Sequence, residues 1–261
     1  PIDGAPPYAP LHEAGLFRII GFEPDIDALA KLNQKKTGRE VYLPYAIGDG
    51  APRTLNLCRY SGWNSTLTPS PAALEVFSFF KENAAIVDKA QINTRRLDDI
   101  DEIGEIDFLK IDIQGGELDV FRNATSKLAN VGIVQTEVSF VGLYEDQPSF
   151  GEIDIELRSQ GFIPHHFDAV KRCIISPFEI NNDPSRALNQ LIEGDMVYVK
   201  DFRYPEKLSD HQLRHICLVA HACYRSYDLA YYCVKNLEER GAVSPQTTTA
   251  YLDLVNEPLR A

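Results

Sequence analysis

Three acidic residues stand at or near the ends of predicted strands, where a carboxylate can bind a ligand or accept a proton. They are Glu23, Asp112 and Glu137. Ligands of open α/β sheets bind just beyond the carboxyl ends of the strands, and a buried carboxylate without a partner is costly. A structural role is the alternative, because Asp, Gly and Glu also suit a capped strand-to-helix turn and a charge at a strand end can be solvated.

The segment 107–117 is the clearest example of a buried strand that ends in polar groups. Its apolar side chains are those expected of a strand covered on both faces of a parallel sheet: Phe108, Leu109, Ile111 and Ile113. Asp112, Gln114 and two glycines come at its end, and Glu117 opens a helical pattern. The segment therefore predicts a strand, a tight turn and a helix.

Strands and helices alternate along most of the chain. Strands are predicted at 17–23, 41–47, 53–60, 87–94, 108–113, 132–140, 162–167, 171–175 and 195–199, and helices at 25–32, 70–83, 117–128 and 150–160. This order indicates an α/β fold with a Rossmann-like, mostly parallel sheet, helices on both faces and an antiparallel edge hairpin. We expect this domain over residues 1–205 and a helical C-terminal extension over 206–261, because only helical patterns follow Ser209.

Charge and composition narrow the function classes. The net charge of −12 argues against general nucleic-acid binding and against an anionic membrane surface, since both need clustered Lys and Arg. No apolar run approaches the length that spans a bilayer. Five scattered cysteines without a Cys-x-x-Cys pair are typical of reduced thiols. We expect a cytoplasmic protein without a nucleic-acid or membrane partner.

The cofactor can be narrowed by the phosphate-binding motifs that do not occur. Neither G-x-G-x-x-G nor G-x-x-x-x-G-K-[ST] is present, and their absence argues against binding of dinucleotides and nucleoside triphosphates. Glu23 ends a predicted strand where an acid often binds the hydroxyls of a ribose. A cofactor with adenosine but no phosphate stays open, and the cationic sulfonium of S-adenosylmethionine suits an acidic cleft.

Four segments in order, 20–25, 44–49, 108–117 and 134–140, together with Arg96-Leu-Asp-Asp99 and Gly161-Phe162, resemble the FkbM family of S-adenosylmethionine-dependent methyltransferases. The resemblance covers roughly residues 3–202. It implies the class I Rossmann-like methyltransferase fold, methylation of a hydroxyl oxygen on a small molecule or sugar, and a bacterial source.

The resemblance also assigns residues. Glu23, followed by Pro24, is the implied ribose-binding acid, and Ala46 and Ile47 are implied neighbours of the adenine. The remaining implied cofactor residues are Asn64 and Ser65 in a polar loop, and Asp112 and Gln114 at the methyl-transfer site. Glu117 and Glu137 either act there or only organise that region.

One departure from the family pattern concerns the start of the chain. Residues 1–4 resemble the loop after the family's first, glycine-containing motif, so the strand before that motif is expected to be missing. Either the sequence is a fragment of a complete enzyme, or the cofactor site is incomplete.

Methyl transfer to an oxygen requires alignment of the acceptor and removal of its proton. The candidate bases are Asp112, Glu137 and one of the pair His165-His166, since adjacent side chains on a strand point to opposite faces. A satisfied structural or exposed histidine is the alternative for that pair.

A metal site receives little support from the sequence. His211 and His215 have the i, i+4 spacing of helical metal ligands, with His221 further along, but no Glu stands in the position that zinc proteases use. Asp112 with Glu117 is a further candidate for a divalent ion. We expect no metal.

Two other function classes remain open. The first is a non-catalytic, methyltransferase-like interaction module that uses the C-terminal helices as its contact surface, which the missing first motif favours and the acids at the sheet ends oppose. The second is a sugar-modifying transferase that uses a nucleotide-sugar, which the absent phosphate motifs oppose. A homo-oligomer formed through the C-terminal helices is a further expectation.

Overall fold

The computed structural model describes residues 6–181, 183 and 186–260, with side chains to residue 255, and shows a mixed α/β fold. Its strands are β1 (Ile19–Phe22), β2 (Glu40–Leu43), β3 (Ala46–Ile47), β4 (Pro52–Cys58), β5 (Ile86–Arg95), β6 (Phe108–Ile111), β7 (Ile133–Ser139), β8 (Phe162–Cys173) and β9 (Gln190–Lys200). Its α-helices are α1 (Ala9–Glu13), α2 (Ile26–Lys35), α3 (Pro71–Val76), α4 (Glu117–Arg122), α5 (Thr125–Asn130), α6 (Phe150–Ser159), α7 (Asp210–Ala222), α8 (Tyr227–Glu239) and α9 (Thr247–Arg260).

The strands pair in three groups: β1-β2, β3-β5-β4 and β6-β7-β9-β8. The pairs β1-β2, β3-β5 and β6-β7 are parallel, whereas β4-β5, β7-β9 and β8-β9 are antiparallel. Parallel and antiparallel pairs are thus equally frequent in the described residues, where a mostly parallel sheet was expected. The half-exposed β4 accounts for part of the difference, because it pairs antiparallel with β5 instead of joining the buried strands.

Several predicted elements have different bounds. The helix predicted over 117–128 is two helices, α4 and α5, because Asn123 turns its amide back to the carbonyl of Asp119 at 2.8 Å and ends the first. The helix predicted over 70–83 ends at Val76, and the buried side chain of Phe77 follows it. The two strands predicted over 162–175 form one irregular strand, β8, which makes the expected hairpin with β9.

The strand β7 forms the centre of the largest sheet, and all seven of its residues are buried. Its successive side chains alternate between two hydrophobic clusters. Val134 packs with α4, α5 and α6 on one face, and Ile133 packs with α7 and α8 on the other. The C-terminal helices thus complete the second layer of the fold.

A cavity of 2070 Å³ separates β1 from β6. Each of these strands has one partner among the described residues, β2 and β7 respectively, and residues of both line the cavity. No helix in the part of the chain that the structure describes is long and apolar enough to cross a membrane.

Candidate functional site

The cavity between β1 and β6 collects most of the residues that were assigned to the cofactor. Six of them line it: Glu23, Pro24, Ala46, Ile47, Asn64 and Asp112. They come from the ends of separate strands and from one loop, as expected for a ligand site at the carboxyl edge of α/β strands.

Glu23 follows β1 directly and is half-buried. Its backbone N–H donates to the carbonyl of Leu43 at 3.0 Å, which continues the pairing of β1 with β2. Its side chain accepts a hydrogen bond of 2.9 Å from the N–H of Asp25, the residue that caps α2. The carboxylate is therefore held at the strand end, and its oxygens can still accept hydrogen bonds from a ligand.

The cavity is also lined by an ion pair. Asp49, just after β3, forms an ion pair with Arg53, and both line the cavity. The N–H of Ala51 and then the guanidinium of Arg53 hold the pKa of Asp49 below its ordinary value, although partial burial opposes them. Asp49 is thus ionised at neutral pH, and its charge is balanced by Arg53.

The turn after β6 is built around a buried carboxylate. The side chain of Glu117 accepts hydrogen bonds from the N–H of Ile113 at 2.7 Å and of Gly115 at 2.9 Å. Gly115 has φ +101°, and a Cβ there would lie 2.6 Å from a methyl of Leu67, so only glycine fits. Glu117 organises the turn, which was one of its two expected roles.

Gln114 connects the polar groups at this end of the sheet. Its amide nitrogen donates to Asp112 at 2.8 Å and to Glu137 at 3.0 Å. Its amide oxygen accepts from the hydroxyl of Tyr144 at 3.0 Å. Gln114 also has φ +56°, an uncommon conformation for a residue with a side chain. Asp112 faces the cavity, whereas Gln114 and Glu137 stand behind it.

Burial raises the pKa of both glutamates in this cluster. Burial is the largest cause for Glu117 and raises its pKa to about 7, against the hydrogen bonds from Ile113 and Gly115. For Glu137, burial and then the charges of Asp112 and its neighbours raise the pKa well above the ordinary value. The cluster therefore holds protons near neutral pH, which is typical of sites that move protons.

Lys171 places a positive charge beside Glu137. Its ammonium lies 2.6 Å from Glu193 and 3.7 Å from Glu137. Burial lowers the pKa of Lys171, but these two carboxylates outweigh burial and raise it overall. Lys171 partly balances Glu137, and its side chain is 55% exposed, so solvent screens the pair.

The polar loop after β4 supports the same turn. The hydroxyl of Ser65 is buried and donates to the backbone carbonyl of Gln114 at 2.6 Å. Asn64 accepts from the N–H of Cys58 at 2.8 Å, which fixes its side chain at the cavity wall. Ser65 thus holds the backbone of Gln114 without lining the cavity, whereas Asn64 lines it.

His165 lies in a different part of the molecule. Its Nε2 is 2.7 Å from the hydroxyl of Ser226, at the start of α8. Burial lowers the pKa of His165, and the neighbouring ring of His166 adds to this. The structure does not bring His165 to Asp112, Gln114 and Glu137, and its role as a base stays a prediction.

Sequence reasoning did not find Tyr144, Lys171 or the pair Asp49–Arg53. Tyr144 lies in a loop and Lys171 on a mostly exposed strand segment, so neither has a local pattern that marks it. Asp49 stands next to the predicted strand end at Ile47, and the rule that ligands bind at strand ends would have found it.

Carboxylate oxygens of Asp112, Glu117 and Glu137 lie within 4.8 Å of one another, close enough to share a divalent ion. In the present arrangement, however, the Gln114 amide donates to two of them, and two backbone N–H groups donate to the third. The three acids are thus already supplied with hydrogen-bond donors.

The methyltransferase FkbM domain matches residues 2–164 of the chain. The matched region contains β1 to β7, the Gln114 cluster and the lining residues of the cavity except His215. The chain therefore belongs to the FkbM family of methyltransferases. No curated protein and no solved structure matched it.

Proposed function

We propose that the protein is an S-adenosylmethionine-dependent methyltransferase that methylates a hydroxyl oxygen of a small molecule or sugar. The observation that carries this proposal is the single cavity that holds both Glu23, at the end of β1, and Asp112, at the end of β6. Family membership supports the methyl-transfer chemistry.

The side chains that line the cavity have the chemical groups that such a cofactor needs. Glu23 offers a half-buried carboxylate for two ribose hydroxyls, and Ala46 and Ile47 offer an apolar surface for the adenine. Asp112 adds negative charge that favours a sulfonium, whereas the charge of Asp49 is balanced by Arg53. When bound, the cofactor supplies a methyl group activated by positively charged sulfur.

The size of the cavity leaves room for an acceptor as well. Pockets for single small molecules measure about 300–1,000 Å³, and this cavity measures 2070 Å³. We therefore place the hydroxyl-bearing acceptor in the same cavity, next to the turn after β6.

Asp112 is the best placed of the candidate bases. It is exposed to the cavity, whereas Glu137 is 5% exposed and stands behind the amide of Gln114. In our proposal Asp112 accepts the hydroxyl proton of the acceptor, Gln114 holds the Asp112 carboxylate in place, and Glu137 and Glu117 position that turn.

Calorimetric titration of S-adenosylhomocysteine tests the cofactor assignment. We expect binding by the protein and binding about 10–100-fold weaker by Glu23→Ala, because a charge-assisted hydrogen bond contributes about 1.5–3 kcal/mol. Glu23→Gln keeps an acceptor for the N–H of Asp25 and separates the loss of charge from local unfolding. Glu82→Ala, an exposed acid outside the cavity wall, is the control and should bind normally.

The second candidate function is the interaction module. It is favoured by β1 and β6, which both present an unpaired edge to the cavity among the described residues. Exposed strand edges of this kind are ready sites for pairing with another chain. A protein that is folded by circular dichroism but binds no S-adenosylhomocysteine would contradict the cofactor proposal and favour this one.

A further inference from the structure

Three side chains that can bind metal meet at the other end of β6, away from the Gln114 cluster. Oδ1 of Asp107 lies 2.7 Å from Nε2 of His211 and 3.2 Å from Nδ1 of His215. The two imidazole rings are 4.1 Å apart, centre to centre. One ligand atom from each residue lies within 4.8 Å of the other two.

Both elements that carry these side chains are firmly positioned. The backbone carbonyl of Asp107 accepts the N–H of Gly132 at 3.0 Å, next to the start of the β6-β7 pair. On α7, a capping box between Ser209 and Gln212 fixes the first turn, which contains His211. The i, i+4 spacing places His211 and His215 on one face of that helix.

One ring nitrogen of His215 makes no hydrogen bond in the part of the chain that the structure describes. This atom, Nδ1, is shielded from solvent. The atom lies 3.2 Å from Asp107 Oδ1, but this contact does not have the geometry of a hydrogen bond. A buried polar atom without a partner needs an explanation, and an unobserved ion is a common one.

We propose that Asp107, His211 and His215 bind a divalent transition-metal ion of the Zn²⁺ class. Imidazole ligands favour Zn²⁺, Cu²⁺ and Ni²⁺ over Mg²⁺ and Ca²⁺, which prefer oxygen ligands. An ion bonded tetrahedrally at about 2.0–2.1 Å holds its donors about 3.3 Å apart. Asp107 Oδ1 therefore needs to move about 0.6 Å away from His211 Nε2, whereas its 3.2 Å distance to His215 Nδ1 already fits. The fourth position is left for water.

The ion would join the C-terminal helices to the sheet. Asp107 precedes β6 and Asp112 follows it, so the two lie about 16 Å apart at the rise of a strand. The metal site therefore lies at the opposite end of β6 from the proposed methyl-transfer site, although Asp107 and His215 line the same cavity. Its role is to attach α7 to the strand that carries that site.

The helix spacing alone did not predict this site, because the carboxylate comes from Asp107, 104 residues before His211 in the chain. His221, the third histidine of α7, lies apart from the cluster. Its Nδ1 is 3.0 Å from the hydroxyl of Tyr251. His221 is therefore the matched control for substitutions on the same helix.

Equilibrium dialysis of the protein against Zn²⁺, with metal analysis, tests the proposal. We expect one bound ion per chain, and affinity at least about ten-fold lower in His211→Ala and His215→Ala, since even outer partners of metal ligands contribute about 10–100-fold. His221→Ala should bind as the unmodified protein does. Mg²⁺ should not compete. Co²⁺ in place of Zn²⁺ should give the visible absorption of a low-symmetry site with nitrogen ligands and without thiolate charge transfer.

Thermal unfolding provides an independent readout. Zn²⁺ at about a hundred times its Kd should raise the melting temperature by about 5 °C or more in the unmodified protein and in His221→Ala, but not in His211→Ala. His211 is half-exposed, so its replacement should leave the metal-free protein folded. Equal binding by His211→Ala and the unmodified protein, or thiolate charge transfer with Co²⁺, would assign the metal to other groups and overturn the proposal.

Discussion

The hydroxyl of Ser65 donates a hydrogen bond of 2.6 Å to the backbone carbonyl of Gln114. Through it, the loop after β4 contacts the turn that carries the acidic cluster, 49 residues further along the chain. The same oxygen accepts the N–H of Leu67 at 2.9 Å, so one buried hydroxyl satisfies two backbone groups.

Ser65→Ala should therefore destabilise the protein by about 1–3 kcal/mol, because it leaves buried backbone groups without partners. Urea unfolding at fixed pH measures this change. Ser61→Ala, in the same loop but exposed, should change the unfolding free energy by less than about 0.5 kcal/mol. Equal effects of the two substitutions would show that the Ser65 bond has no special role.

Asp112→Asn should suppress methyl transfer about 10²–10⁴-fold, the usual contribution of a general base, while cofactor affinity changes little. The amide of Asn can still accept from Gln114, so the turn should keep its shape. Transfer of tritium from labelled S-adenosylmethionine to a panel of monosaccharides and hydroxylated small molecules measures turnover, and calorimetry measures cofactor binding. Full turnover by Asp112→Asn would remove the residue from the proposed role.

Glu117 should make the stability of the protein depend on pH. Its pKa is about 7 in the folded protein and about 4.3 in an unfolded chain. Between these values the folded state holds a proton that the unfolded state has lost, so the contribution of Glu117 to stability is greatest below pH 4 and falls as the pH rises to 7. The loss is on the order of 3 kcal/mol.

Glu117→Gln cannot titrate and should show a smaller decrease in stability between pH 4.5 and 7, whatever its absolute stability. Urea unfolding at several pH values measures both proteins. Glu82→Gln, which removes an exposed carboxylate paired with Arg59, should keep the wild-type pH dependence. An unchanged slope in Glu117→Gln would contradict the assigned protonation.

Leu213→Ala should cost about 2–5 kcal/mol, because Leu213 is fully buried between α7 and the sheet. Leu218, on the same helix, is 37% exposed, and Leu218→Ala should cost much less. Chemical denaturation of both variants measures the difference. Similar small losses would show that α7 is only loosely attached to the sheet.

Sequence reasoning located the parts of the site that depend on local patterns. The strands β6 and β7 and the acids near their ends were predicted, because apolar runs and strand ends are visible in the sequence. β7 is buried as expected, whereas three of the four residues of β6 are only half-buried. The assigned roles of Glu23, Asp112 and His165 stay predictions.

The remaining parts depend on contacts between distant residues. Nothing local shows that Tyr144 meets Gln114, or that Asp107 meets His215. The break between α4 and α5 was missed because Asn123 ends the helix with a side-chain hydrogen bond that periodicity does not register. The homo-oligomer expected through the C-terminal helices also stays a prediction, and Leu252 and Leu254 of α9 are exposed there.

The complete burial of β7 has a consequence for motion. Its residues 133–136 pair with both β6 and β9, residues 137–139 pair with β9, and helices cover both faces of the strand. The backbone amides of such a strand exchange with deuterium only when the whole domain opens. Glu137 lies on β7, which we expect to exchange most slowly, whereas Asp112 follows a strand with one partner. Deuterium should therefore enter the turn beside Asp112 long before it enters β7, so the two acids differ in mobility as well as in exposure.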